Sequence, residues 1–120
     1  MQKRILVVDD DAMNLRRTKI ILEKQYDVIL AESGEKALQK LENESIDLVL
    51  LDIEMPGMNG IETFEQMKGK YDEIPVIFLT ASGYEDDVMS AIRLGAVNYL
   101  KKPFLPQDLL ERIEKEFEKK

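Results

Sequence analysis

The sequence predicts an α/β protein in which one parallel sheet is covered by helices on both faces. Short apolar runs alternate with amphipathic segments of helical spacing, and this alternation occurs five times. Residues 48–51 are apolar at every position, which is typical of a strand that is buried on both faces. The chain has 120 residues, the size of one ordinary domain. We therefore expect a single domain over residues 1–120.

Each unit of the alternation pairs one predicted strand with one predicted helix. The predicted strands are residues 4–8, 27–31, 48–51, 75–79 and 97–100. The predicted helices, which carry apolar residues three and four positions apart, are residues 12–24, 34–43, 61–70, 84–94 and 106–118. Five such units, wound in the strand order 2-1-3-4-5, make a doubly wound, flavodoxin-like (βα)5 fold.

Local signals indicate where several helices begin and end. Ser33 is a predicted N-cap, without a capping box because Lys36 occupies the third helical position. Gly95 is expected to end the helix before it, and Pro106 suits the first position of the last helix. Residues 53–60 contain proline, asparagine and glycine, and we predict that they form a loop.

The composition argues against several classes of function. The formal net charge is −7 and the sequence has no basic stripe, so direct binding of nucleic acid or of an anionic membrane is not expected. The chain has no cysteine, which excludes disulfides and thiolate chemistry. It has no histidine either, which removes the commonest general base and metal ligand. No signal peptide or membrane-length apolar stretch is visible, so the expected location is the cytoplasm.

Polar residues follow the predicted strands at their carboxyl ends, which lie together on one side of the sheet. They are Asp9 and Asp10 after the first strand, Asp52 after the third, Thr80 after the fourth and Lys102 after the fifth. Ligands of open α/β sheets bind at this side, where the strand order reverses. Neighbouring carboxylates repel each other unless a cation lies beside them, and a cluster of oxygen ligands suits Mg²⁺.

The same residues suit the transfer of a phosphoryl group. A metal and a lysine neutralise the phosphoryl oxygens, and a hydroxyl donates a hydrogen bond to them. A carboxylate can itself be the nucleophile, which gives an aspartyl-phosphate. The residue types therefore indicate a metal-dependent phosphoryl site.

Four motifs in this order resemble the receiver domain of bacterial two-component response regulators, of the kind found in chemotaxis regulators. They are VVDD at residues 7–10, LDIEMPGMNG at 51–60, LTA at 79–81 and KPF at 102–104. Each motif alone is weakly specific, whereas all four at this spacing are highly specific. The resemblance covers essentially the whole chain. It implies a phosphorylation-dependent signalling switch rather than an enzyme, one that catalyses only its own Mg²⁺-dependent phosphorylation and dephosphorylation.

The resemblance also implies a role for each residue of the phosphoryl site. Asp52 matches the phosphoacceptor. The expected ligands of Mg²⁺, or of Mn²⁺ in its place, are Asp9, Asp10, Asp52 and the main-chain carbonyl of Glu54. Asp9 is expected to hold the ion partly through water. Lys102 matches the lysine that contacts the phosphoryl oxygens.

Two further residues match the family's switch pair. Thr80 matches the hydroxyl that moves to the phosphoryl group, and Tyr99 matches the aromatic side chain that turns inward with it. Packing at a strand edge is the alternative interpretation of Tyr99. Pro103 follows a peptide bond that is usually cis in the family. Asp11 is a third acid at a position where the family often has glutamate or aspartate, and we interpret it as a helix N-cap rather than a ligand.

The resemblance implies two kinds of partner, a phosphoryl donor and a downstream effector. It implies that the phosphoryl donor is a histidine kinase or a phosphotransfer protein, and the absence of histidine from this chain agrees with a donor outside it. The face built from the fourth predicted helix, the fifth strand and the fifth helix is expected to control a downstream effector protein or an output domain outside this sequence. The expected oligomeric state is a monomer or a phosphorylation-linked dimer.

Two other functions share part of this pattern. A phosphatase of the haloacid dehalogenase type also forms an aspartyl-phosphate, but it needs an aspartate two residues after the nucleophile, where this chain has Glu54. The chain is also short for the cap and core of that family. A flavodoxin-like electron carrier has the same fold, but the acids at residues 9–11 would repel the flavin phosphate.

Overall fold

A computed structural model of the protein describes residues 2–81, 89, 92–93 and 95–119. Five parallel strands form one sheet in the order β2-β1-β3-β4-β5. They are β1 (Arg4–Val8), β2 (Asp27–Ala31), β3 (Leu48–Asp52), β4 (Val76–Thr80) and β5 (Asn98–Lys101). The predicted fold and strand order are therefore confirmed.

Four helices connect and cover the strands in the part of the chain that the structure describes. They are α1 (Ala12–Leu22), α2 (Gly34–Asn43), α3 (Gly60–Met67) and α4 (Pro106–Glu118). The helix predicted over residues 84–94 falls almost entirely outside the described residues. Among the described residues, no helix combines the length and apolar character that crossing a membrane requires.

Two apolar cores lie on opposite faces of the sheet. On one face, α2 and α3 pack against the sheet, and the ring of Phe64 meets that of Phe78 edge to face at 5.5 Å between centroids. On the other face, α1 and α4 bury Leu22 and Leu109 completely. Each fully buried aliphatic side chain contributes about 1.5–3 kcal/mol relative to exposure. The central strands β1, β3 and β4 are buried on both sides. Polar residues lie at the carboxyl ends of these strands, where the chain leaves the two cores.

The helix ends follow local chemistry that the sequence shows only in part. Asp11 accepts hydrogen bonds from two main-chain N–H groups of α1, and Ser33 accepts one from the main-chain N–H of Lys36, so both predicted N-caps are confirmed. The predicted start of α3 at residue 61 was one residue late, because Asn59 and Glu62 form a capping box that begins the helix at Gly60.

Other element ends differ from the prediction by one to three residues. The predicted helices over 12–24 and 61–70 end earlier, at Leu22 and Met67. Gly69 has φ of +87°, in the left-handed region that favours glycine, so the chain turns soon after α3. The predicted strands 75–79 and 97–100 each lie one residue further along the chain.

Candidate functional site

Three carboxylates meet at the carboxyl ends of the two central strands β1 and β3. Asp9 and Asp10 directly follow β1, and Asp52 is the last residue of β3. One oxygen from each carboxylate lies within 4.8 Å of the others, so the three side chains can bind one metal ion together. The side chains of Asp9 and Asp52 are buried, whereas Asp10 is exposed. These oxygen donors match the preference of Mg²⁺ for carboxylates and water.

Lys102 brings an ammonium group into contact with this cluster. Its Nζ atom lies 3.0 Å from Oδ2 of Asp9 and 3.4 Å from Oδ1 of Asp52. Lys102 directly follows β5, so the pairing depends on the sheet and not on any local stretch of sequence. Three carboxylates and one ammonium leave the site negatively charged, which favours the binding of a further cation.

The pKa values at the site reflect burial first and charge second. Burial raises the pKa of Asp52 to about 6, and the negative charge of Asp9 adds to this effect. The positive charge of Lys102 and a main-chain hydrogen bond from Glu54 oppose it. For Lys102, burial alone lowers the pKa, but the hydrogen bond to Asp9 and the charge of Asp52 outweigh it, so the pKa lies above its usual value. The lysine is therefore charged at neutral pH.

The loop after β3 is fixed by main-chain contacts. The N–H of Ile53 donates to the carbonyl of Leu79 at 3.2 Å, and the N–H of Gly60 donates to the carbonyl of Ile53 at 2.9 Å. A Cβ atom on Gly60 would lie 2.2 Å from the carbonyl oxygen of Asp52, far inside van der Waals contact. Only glycine allows the start of α3 to lie this close to the phosphoacceptor candidate, and this close approach was not predicted from the sequence.

The carboxylates line an open cavity of about 560 Å³. Its lining residues are Asp9, Asp10, Asp11, Asn14, Asp52, Glu54, Met55, Pro56, Ala81 and Lys102. Asp11 contributes to the rim, but its carboxylate accepts from Met13 and Asn14 as the N-cap of α1. Asn14 is a lining residue that sequence reasoning missed, because nothing marks one polar residue in a helix as facing a site.

The two predicted switch residues, Thr80 and Tyr99, lie on the neighbouring strands β4 and β5 and are not among the lining residues of the carboxylate cavity. Thr80 is buried at the end of β4, and its hydroxyl donates to the carbonyl of Ala81 at 3.1 Å rather than to the carboxylates. Tyr99 is half-buried and packs against the core on the α2 and α3 face. Tyr99 pairs with Phe78 in the sheet, two residues before Thr80. The side chains of Tyr99 and Thr80 therefore lie on the same face of the sheet, because side chains alternate along strands.

The peptide bond between Lys102 and Pro103 is cis, as the resemblance implied. It directly follows β5, at the turn that presents the lysine to the cavity.

Comparisons with known proteins all lead to one family. A family model described as the response regulator receiver domain matches residues 5–114. The chain is 40% identical over 114 residues to the alkaline phosphatase synthesis transcriptional regulatory protein PhoP of Bacillus subtilis, with 94% of this chain and 48% of that protein covered. It is 45% identical over 111 residues to the transcriptional regulatory protein CpxR of Escherichia coli, with 92% and 47% covered. The chain thus spans about half the length of the curated relatives it matches.

A solved structure shows the same likeness over a whole chain. The CheY-like response regulator receiver domain protein from Methanospirillum hungatei superimposes with a TM-score of 0.92 at 37% identity. The match covers 99% of this chain and 96% of that one.

Proposed function

Because the chain belongs to the response regulator receiver domain family, we propose that it is a switch controlled by phosphorylation of Asp52. The phosphoryl donor is a phosphohistidine of a partner histidine kinase or phosphotransfer protein. The observation that carries this proposal is the meeting of Asp9, Asp10 and Asp52 within 4.8 Å, with Lys102 at 3.4 Å from Asp52. The family consists of signalling proteins, so the phosphatase and electron-carrier alternatives are set aside.

The residues divide the chemistry among them. A carboxylate oxygen of Asp52 attacks the phosphorus, the bond from phosphorus to the histidine nitrogen breaks, and the histidine leaves with the electron pair. Lys102 lies beside Asp52 and neutralises the charge on the phosphoryl oxygens. Asp9, Asp10, Asp52 and the main-chain carbonyl of Glu54 hold Mg²⁺, or Mn²⁺ in its place. When bound, the ion supplies the positive charge that lets an anionic carboxylate approach an anionic phosphoryl group. The domain catalyses its own phosphorylation and dephosphorylation and no other reaction.

The signal then passes through Thr80 and Tyr99. The buried hydroxyl of Thr80 exchanges its hydrogen bond to Ala81 for one to the phosphoryl group. Tyr99 fills the space that the threonine leaves, because the two side chains share one face of neighbouring strands. The face that includes β5 and α4 thereby changes shape and controls a downstream partner.

We propose that residues 1–120 form one receiver domain. The effector is a separate protein or an output domain, since the relatives PhoP and CpxR are about twice as long and are transcriptional regulatory proteins. The domain itself contacts neither nucleic acid nor membrane, acts in the cytoplasm, and is a monomer or a phosphorylation-linked dimer. Its net charge of −7 supports the first of these statements.

Phosphorylation with a small donor tests the proposal directly. Acetyl phosphate and Mg²⁺ should add one phosphoryl group to the intact protein by mass spectrometry, and chelation of the metal should prevent it. Asp52→Asn should remove the adduct, whereas Asp108→Asn, at an exposed position of α4, should leave it unchanged. An adduct of undiminished yield on Asp52→Asn would show that another residue is the acceptor.

A further inference from the structure

The two edges of the sheet differ in how their outward main-chain groups are satisfied. β5 forms one edge, and Tyr99 directs its N–H and C=O away from the sheet. The N–H donates to Oδ1 of Asn98 at 2.8 Å, and the carbonyl accepts a hydrogen bond from the guanidinium of Arg112 on α4. This edge is therefore closed at Tyr99 by side chains of the protein itself.

β2 forms the opposite edge, and its pairing with β1 shows which of its groups are free. The N–H of Asp27 and the C=O of Ala31 point toward β1, where they form hydrogen bonds of 2.9 and 3.1 Å. Main-chain groups alternate in direction along a parallel strand, so those of Val28 and Leu30 point away from the sheet. No hydrogen bond formed within the described residues reaches these outward groups. The β2 edge therefore offers two donors and two acceptors in a row.

A groove of about 680 Å³ runs beside this edge between α1 and α2. Arg16 and Lys19 line it from α1, and Lys36 and Lys40 line it from α2. Glu32 is the one acid among the described lining residues. The groove is therefore positively charged in a protein whose net charge is −7. Its apolar lining consists of Ala12, Leu15 and Leu30.

The cations of the groove are available to a ligand. Arg16 and Lys19 form no ion pair with any described residue. Lys36 pairs with Glu32 at 3.0 Å and Lys40 pairs with Glu44 at 3.8 Å, and each of these surface pairs contributes only about 0–1 kcal/mol. An incoming carboxylate can thus replace the existing partner at little cost.

We propose that the β2 edge and its groove bind an extended acidic segment of a partner protein by strand addition. A peptide backbone supplies both the donors and the acceptors that Val28 and Leu30 require. Its side chains alternate toward the α1 wall and the α2 wall, and each wall presents two cations. The segment that fits therefore carries acidic residues on both faces. The groove shares no lining residue with the carboxylate cavity, so this proposal does not rest on the phosphorylation of Asp52.

Two other occupants fit less well. A nucleic acid satisfies the cations, but its phosphates only accept hydrogen bonds and leave the carbonyls of Val28 and Leu30 without donors. A second copy of this chain could pair its β2 with the first, but that pairing would bring the same cations of two grooves together. An acidic peptide strand meets both requirements at once.

A blocked peptide of about eight residues that repeats two glutamates and two valines is the probe, because this order places glutamate on both faces of the added strand. Its addition to the protein should slow amide hydrogen exchange at Val28 and Leu30, which is followed residue by residue by NMR. Lys19→Glu should weaken binding about tenfold or more at low salt. Lys115→Glu, which makes the same charge change at an exposed site on α4 outside the groove, should leave the affinity within about twofold.

Four further measurements make the proposal falsifiable. The same peptide with alternate amides methylated should lose binding, because it cannot complete the hydrogen-bond ladder; undiminished binding would overturn strand addition. A lysine and valine peptide that binds as tightly would overturn the role of charge. A short single-stranded oligonucleotide that competes fully, or dimerisation of the protein through β2 without peptide, would identify a different occupant and reject the acidic segment.

Discussion

Asp9 and Lys102, 93 residues apart in the chain, form an ion pair of 3.0 Å at the centre of the carboxylate site. The same ammonium lies 3.4 Å from Asp52, so one cation stabilises two buried carboxylates. This arrangement makes Lys102 both a support of the unphosphorylated site and a competitor of any metal ion that binds there. Removal of the lysine therefore has opposite effects on the stability of the protein and on its affinity for a metal ion.

Lys102→Ala should therefore lower stability and raise metal affinity. Without divalent cations, the free energy of unfolding should fall by about 3 kcal/mol, because two buried carboxylates lose their counter-charge. Affinity for Mg²⁺ should rise about fivefold, the value of about 1 kcal/mol for one repulsive charge at close range. Urea unfolding and a calorimetric titration measure the two quantities. Lys115→Ala, at an exposed position, should change neither, and a loss of metal affinity in Lys102→Ala would contradict the interpretation.

The pKa of Asp52 predicts how stability depends on pH in metal-free protein. The folded state raises this pKa from 3.8 to about 6, mainly through burial, so between these values it binds more protons than the unfolded state. Stability from this group is therefore greatest at low pH and falls as pH rises toward 6, by about 3 kcal/mol in all. Asp52→Asn should remove this loss and be the more stable protein at about pH 7.5. Equal unfolding free energies of the two proteins at that pH would show that the carboxylate is not destabilised by burial.

Substitutions of Asp10 and Asp11 should differ in how much Mg²⁺ stabilises the variant protein. Mg²⁺ at about 100 times its Kd should stabilise the wild-type protein by about 2.7 kcal/mol. Asp10→Asn should lose most of this gain, because it removes one charged ligand of the cluster. Asp11→Asn should keep it, since asparagine also caps a helix. Thermal unfolding with and without Mg²⁺ measures this stabilisation. If Asp11→Asn alone abolished the stabilisation by Mg²⁺, Asp11 and not Asp10 would be the ligand.

Gly60→Ala should damage both the fold and phosphorylation. The added methyl group would lie 2.2 Å from the carbonyl oxygen of Asp52, so the start of α3 or the end of β3 must move. We expect a loss of about 3 kcal/mol and a much lower yield of the acetyl phosphate adduct. Gly57→Ala is the matched control, because a Cβ there meets no atom within 4 Å and only the φ of +72° is disfavoured, at about 1–2 kcal/mol. Similar losses of stability in the two variants would argue against a steric role for Gly60.

The sequence predicts the fold and the main carboxylates well because both depend on local patterns. The apolar runs locate the strands within one residue, and Asp9, Asp10 and Asp52 follow from the rule that ligands bind at strand ends. The contact of Gly60 with Asp52 is not predictable in this way, because it joins two main-chain segments whose distance depends on the packing of α3. The capping box of Asn59 and Glu62 was visible as a spacing, but it lies in a stretch that reads as a loop.

The edges of the sheet escape prediction for another reason. The sequence shows that β2 and β5 are the outer strands, but it does not show which of their peptide groups are satisfied. The hydrogen bond from Arg112 to Tyr99 joins α4 to β5, and Arg112 has the appearance of an ordinary surface charge in the sequence. The cationic groove likewise combines two helices that lie on opposite faces of the sheet.

The closure of β5 at Tyr99 limits how a partner protein can bind this edge of the sheet. Since Arg112 and Asn98 already occupy the carbonyl and the N–H of Tyr99, a partner cannot extend the sheet there without first displacing them. Recognition at this edge must then depend on the shape and charge of side chains and not on hydrogen bonds to the peptide backbone, and in the proposed switch the ring of Tyr99 is the side chain that changes. A helix or a rigid loop of a partner protein suits such a surface. Its selectivity would then depend on which rotamers of the side chains at β5 it can pack against.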